Sequence, residues 1–272
     1  MRYETLTESE WQRVNQAWDL LEAGELDEAR RAVDALLLER PGHPDVRIVE
    51  AAVCLDEDEP QQALAALRGA ERSADPALFF HLRALAQFEL VRLEPARDDA
   101  LRAVAVHPDL AEAHDLLARI YEHLGEPESA ARHEAEARAI DPAVFGETLE
   151  VPAGEFDALV ERSLKELPPR VRAELDEVPV VVEDLPSREI LAAEDPPLSP
   201  DLLGLFVGRH LLERSHLDVP GAPGAIYLFR RNLLRACADR EELVREVRTT
   251  VLHEVGHLLG LDEDDLENWG LG

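Results

Sequence analysis

Small and apolar side chains recur along the first half of the chain on two scales. Within short segments they fall three and four residues apart, as one face of an α-helix requires. Over longer distances the same markers return: Ala17, Ala29 and Pro41, then Ala52, Leu64 and Pro76, then Ala84, Ala96 and Pro108, then Ala118, Ala130 and Pro142. The successive prolines lie 35, 32 and 34 residues apart, the length of a helix–turn–helix unit in a stacked array. Small residues are expected where two helices approach closely, and proline where the second helix stops. Residues 1–145 therefore read as an all-α domain of about four repeats. The fourth unit is the cleanest, with Leu117, Ala118 and Tyr121, a turn at Gly125, and Ala130 and Ala137 before Asp141-Pro142. In the second, Asp56 to Pro60 stands in place of a glycine turn.

Over about residues 10–142 this pattern resembles the tetratricopeptide repeat. The resemblance implies a superhelix whose concave groove takes a protein or peptide partner. Bracing of a second domain, or self-association, is the alternative. Trp11 and Trp18, seven apart, read as core or capping residues. His43, His81, His107, His114, His123 and His133 show no metal-ligand spacing and receive no role.

After a linker over 146–154 the pattern changes, and residues 155–272 read as a second domain. Glu155 to Leu164 has helical spacing, Val178 to Glu183 is β-branched and reads as a strand, and Pro186 to Asp201 reads as a loop. Leu202 to Val207 is apolar but too short to assign by period. Ala225 to Arg231 reads as a strand, on which Arg230 and Arg231 are solvent charges or substrate-carboxylate contacts. A long helix follows, capped by Asp239 with Glu242 three residues on, and buried through Leu243, Val247, Val251, Val255 and Leu258 up to Gly260.

That helix carries the candidate chemistry, His253-Glu254-Val255-Gly256-His257. Histidines four apart share a helix face and can hold one zinc ion, and the glutamate beside them is placed to take a proton from water. A third ligand is expected after the turn at Gly260. Fifteen residues follow His257, too few for a glutamate on a separate downstream helix, so Glu263, six past the second histidine, is the expected ligand. Asp262, Asp264, His210 and His216 are the alternatives.

From about residue 155 onward the chain resembles the small bacterial zincin-like metallopeptidases. The likeness lies in Leu202 to Gly208, Ile226 to Arg231, Cys237 to Leu243 and above all His253 to Leu266. Members of that family usually carry aspartate where this chain has Glu263, one methylene longer. The resemblance implies a compact α/β zincin core with peptidase activity. The expected fold is thus α+β overall, a helical-repeat superhelix followed by a small α/β metallopeptidase domain.

Composition narrows the function further. With 58 acidic against 28 basic residues the net charge is -30, which argues against a nucleic-acid substrate, since phosphate binding needs clustered Lys and Arg. Cys54 and Cys237 are too few for a disulfide framework, and no export or membrane-spanning segment is evident, so a cytoplasmic protein is expected. The resulting expectation is a zinc metallopeptidase with His253, His257 and Glu263 on the metal, Glu254 as base, and repeats that recruit a protein or peptide. The alternative is an interaction protein with a catalytically idle zinc domain; a metal-dependent RNA hydrolase ranks below both.

Overall fold

The computed structural model describes residues 5–72, 75–167, 178–208 and 224–258, with Pro169, Arg172 and Leu175 between them; the side chains of His257 and Leu258 are outside that description. Two compact units result, one of residues 1–146 with 191–199, the other of 147–190 with 200–272.

In the first unit, four helical hairpins follow one another: α1 (Glu8–Glu22) with α2 (Leu26–Glu39), α3 (Pro44–Asp56) with α4 (Pro60–Ala66), α5 (Pro76–Glu89) with α6 (Leu93–Val106), and α7 (Ala111–His123) with α8 (Pro127–Ile140). Each hairpin packs on the next. The marker alanines 17, 29, 52, 84, 96, 118 and 130 are all buried, as close helix approach requires. Trp11 and Trp18 are half-buried against the apolar clusters of the first hairpins. Proline follows the second helix in three repeats, but Pro76 instead opens α5, because α4 stops at Ala66 after only 7 residues.

One backbone device is common to all four turns. Gly24, Asp58, Val91 and Gly125 adopt φ values of 74, 56, 57 and 74°, and the following N–H reaches back to Leu20, Cys54, Gln87 and Tyr121. This is a Schellman closure, which satisfies the last carbonyls of the first helix and needs a left-handed residue. A β-branched side chain is strained there by about 1–2 kcal/mol. Val91→Gly should therefore raise the thermal midpoint by about 2–4 °C. A lower midpoint would mean that the packing of the half-buried valine outweighs its backbone strain.

Two polar features close the third and fourth hairpins, one within each. Asp99, 5% exposed, accepts both arms of Arg83 at 2.6 Å and the amide of Gln87 at 3.0 Å, while Arg83 lies over the Phe79 ring at 4.8 Å. Between α7 and α8, buried His114 and His133 face each other with Nδ1 atoms 3.0 Å apart. The Nε2 of His114 lies 3.1 Å from the Pro108 carbonyl, which can only accept. So His114 Nε2 carries a proton, and in the neutral pair its Nδ1 accepts from the Nδ1–H of His133.

Burial, with His114 and Arg132 adding to it, pushes His133 down to about 4; burial, with Arg119 adding, does the same to His81. Both folded values lie below the ordinary 6.5, so the unfolded chain binds more protons between them. Their stabilising contribution is complete above the ordinary value and is lost as pH falls towards 4. In chemical denaturation at pH 7.5 and pH 4.5, wild type should lose more stability than a His81→Gln/His133→Gln variant. That comparison cancels the relief of acidic repulsion common to both proteins. Equal losses would contradict the assignment.

Among the described residues, the second unit is built on a three-stranded sheet in the order β1 (Val180–Glu183), β3 (Ala225–Phe229), β2 (Gly204–Val207). β1 runs parallel to β3, Val180 beside Ile226, and β2 antiparallel, Gly204 opposite Leu228. The stretch Ala225 to Arg231 thus divides: the strand ends at Phe229 and the chain turns directly into α11 (Arg230–Ala236). Arg230 is held by Asp184 at 2.6 Å. A short helix, α10 (Arg188–Leu191), interrupts the region expected as loop.

The sheet is covered by α9 (Ala153–Glu166) and α12 (Arg240–Leu258). Phe156, Leu159 and Val160 of α9 meet Ile226 and Leu228 of the sheet and Leu243, Val247, Val251 and Val255 of α12 in one core. Val151, in the stretch expected as linker, is 5% exposed and joins that core.

Candidate functional site

The helix α12 begins where Asp239 Oδ1 accepts from the N–H groups of Glu241 and Glu242, at 2.8 and 2.9 Å. Glu242 returns the bond, but to the N–H of Ala238 at 2.7 Å, one residue ahead of the cap. From there Leu243, Val247, Val251 and Val255 form a buried stripe, with Thr250 and Glu254 on its flank at 7% and 6% exposure.

A carboxylate is expensive to bury without hydrogen bonds. Glu254 is met by the N–H of Phe206, which donates to Oε2 at 2.6 Å. The sheet register explains the contact. Phe229 N–H donates to Leu203 O, so residues 203, 205 and 207 bond with β3, while Gly204 and Phe206 turn their peptide groups to the outer edge. Glu254 therefore reaches from the helix to the outward edge of β2.

His253 is half-buried beside Glu254, and the backbone of His257 lies one turn further along the same helix. A step of four residues turns about 40° and rises about 6 Å, which keeps both positions on one face. The side chain of His257 and the residues Gly260, Glu263, Asp262, Asp264, His210 and His216 lie outside the described residues. Two imidazoles and a carboxylate are the donor chemistry that zinc takes. Glu254, engaged by the strand edge, directly follows His253 on the helix.

Among the described residues, Cys54, Glu57 and Glu59 also gather three potential metal donors within 4.8 Å. Arg30 already occupies that cluster, bonded to Glu57 and 3.5 Å from Cys54 Sγ, and burial raises the thiol's pKa. The second cysteine, Cys237, is buried and pushed up to about 11 by that burial. Neither thiol is poised as a nucleophile or ligand.

The strand-edge partner of Glu254 is not among the residues that the sequence singles out. A sign was present: glycine inside the apolar run 202–207 marks a close backbone approach. Nor does the sequence single out the His114 and His133 pair, whose numbers are nearly symmetric about the turn at Leu124-Gly125, as partners across an antiparallel hairpin must be.

The sequence profile of the zincin-like metallopeptidase family matches residues 175–271. No curated protein matches the chain. Solved structures similar to it include that of MamA (21% identity, 54% of this chain and 81% of that one, TM-score 0.40). PilF of Pseudomonas aeruginosa aligns at 18% identity over 57% and 67% with a TM-score of 0.44. The type IV pilus biogenesis factor PilW aligns at 13% over 59% and 85%, with a TM-score of 0.36. Residues 175–271, which include the HExxH helix, are thus similar to the zincin-like metallopeptidase family, and they follow an array of four helical hairpins.

Proposed function

We propose that the chain is a zinc-dependent metallopeptidase, with the metal held by His253, His257 and Glu263 and with Glu254 as general base. The observation that supports this most is the burial of Glu254 next to His253, held at the outer edge of β2. A structural helix gains nothing from a carboxylate at 6% exposure on its core-facing flank; a proton acceptor beside a metal does.

Zinc, when bound, supplies Lewis acidity, lowering the pKa of water towards neutrality and favouring negative charge on the scissile oxygen. Glu254 serves as the base, accepting the proton of the attacking water and delivering it to the leaving amine. Besides the Phe206 N–H that Glu254 takes, the outer edge of β2 carries the peptide groups of Gly204 and the Phe206 carbonyl, which an extended substrate would meet. The net charge of -30 fits a protein or peptide substrate better than nucleic acid.

In this reading the hairpin array recruits the protein or peptide to be cleaved. Two buried free thiols fit a cytoplasmic setting, and among the described residues no helix is long and apolar enough to cross a membrane. Metal analysis tests the ligand assignment: one zinc per wild-type chain is expected, with loss of zinc in His253→Ala, His257→Ala and Glu263→Ala. Full zinc content in Glu263→Ala would move the third ligand elsewhere.

A further inference from the structure

We propose that Gly204 and Asn232 are positioning residues for Glu254: together they fix β2 in the single register at which the Phe206 N–H meets the carboxylate. This rests on the assignment of Glu254 as general base.

The strand β2 is fixed at two points on the approach to Phe206. At the first, Asn232 of α11, only 4% exposed, spends both amide hydrogens on the chain entering the strand, donating to the carbonyls of Pro200 at 2.8 Å and Leu202 at 2.7 Å. Its Oδ1 has no hydrogen-bond partner among the described residues. With both hydrogens committed, the buried amide fixes where those two carbonyls lie.

At the second point, the strand lies directly on the metal helix. A Cβ at Gly204 would stand 2.5 Å from Cγ2 of Thr250 and 3.1 Å from the Tyr227 carbonyl. Thr250 is buried and β-branched, so its methyl cannot swing aside. Only glycine lets the backbone come this close. Thr250 is one helical turn before Glu254, and Gly204 two residues before Phe206, so the contact sets the distance between donor and carboxylate. A one-residue slip would turn the Phe206 N–H towards β3 and take it from Glu254.

The test uses the full chain, selectively 15N-labelled at its seven phenylalanines, with the Phe206 amide assigned by its loss in Phe206→Leu. In metal-free protein this amide should resonate downfield and move upfield in Glu254→Ala. Gly204→Ala and, independently, Asn232→Asp should each produce most of that movement, and adding Thr250→Ser to Gly204→Ala should reverse it. In zinc-loaded protein Gly204→Ala should lower kcat about 100-fold with KM and zinc affinity unchanged, and Thr250→Ser should restore it.

An amide unmoved in both single variants overturns the proposal. So does a Gly204→Ala/Thr250→Ser protein that regains thermal stability while the amide stays displaced, because Gly204 would then serve packing alone. Should wild type show no turnover, the peptidase assignment fails, while the amide spectra still decide whether these residues place the carboxylate.

Discussion

Replacing Glu254 by glutamine is expected to leave zinc bound and to lower peptide hydrolysis by about 10²–10⁴-fold. Glutamine has the same length and can still accept the Phe206 N–H that meets Glu254 Oε2 at 2.6 Å, so the strand edge keeps its partner. It also removes a buried charge, so the folded domain should be no less stable. What disappears is the basic oxygen. The variant therefore separates proton transfer from architecture, and parallel measurements of zinc content, thermal midpoint and kcat check it. Wild-type hydrolysis by Glu254→Gln would show that another group is the base.

Asp99→Ala should have the largest effect on stability, about 3 kcal/mol, which corresponds to a fall of about 10 °C in the midpoint of the repeat unit. Asp99 is 5% exposed and takes both arms of Arg83. Its removal leaves the guanidinium between Phe79 and Phe80 without its counter-ion, together with the Gln87 amide. Because the Arg83 side chain retains 26% exposure, water relieves part of the penalty, which keeps the expected loss at the lower end for a broken buried pair. A loss below about 1 kcal/mol would mean that the pair behaves like a surface salt bridge. The effect should stay in the repeats and leave zinc binding intact.

The features most legible in the sequence are those written as periods. The alanines at twelve-residue steps and the stripe Leu243, Val247, Val251 and Val255 each bury as their spacing requires. The helix cap at Asp239 is readable for the same reason, being set by residues three apart. The turn chemistry is half legible: Gly24 and Gly125 announce a left-handed residue and Asp58 tolerates one, whereas Val91 adopts it against its own preference because tertiary packing repeats the hairpin.

Long-range pairings are not legible. The Phe206 contact spans 48 residues and depends on which strand lies at the sheet edge. In the sheet, the run Ala225 to Phe229, the strand nearest α12 in sequence, is central among the described strands. The residue pattern extends that strand to Arg231, but the helical turn begins at Arg230, where Asp184 holds the guanidinium. Of the chemistry, the spacing places His253, Glu254 and His257 on one helix, while Glu263 lies beyond the described residues; the roles of all four are proposals that metal analysis and kinetics decide.

Whether α12 carries a zinc peptidase site is decided by incubating a peptide library with the zinc-loaded chain and reading products by mass spectrometry. Glu254→Gln serves as the blank. Wild type should form cleavage products that a chelator suppresses and that the variant does not form. Stoichiometric zinc with every peptide left intact by both proteins would contradict the peptidase assignment.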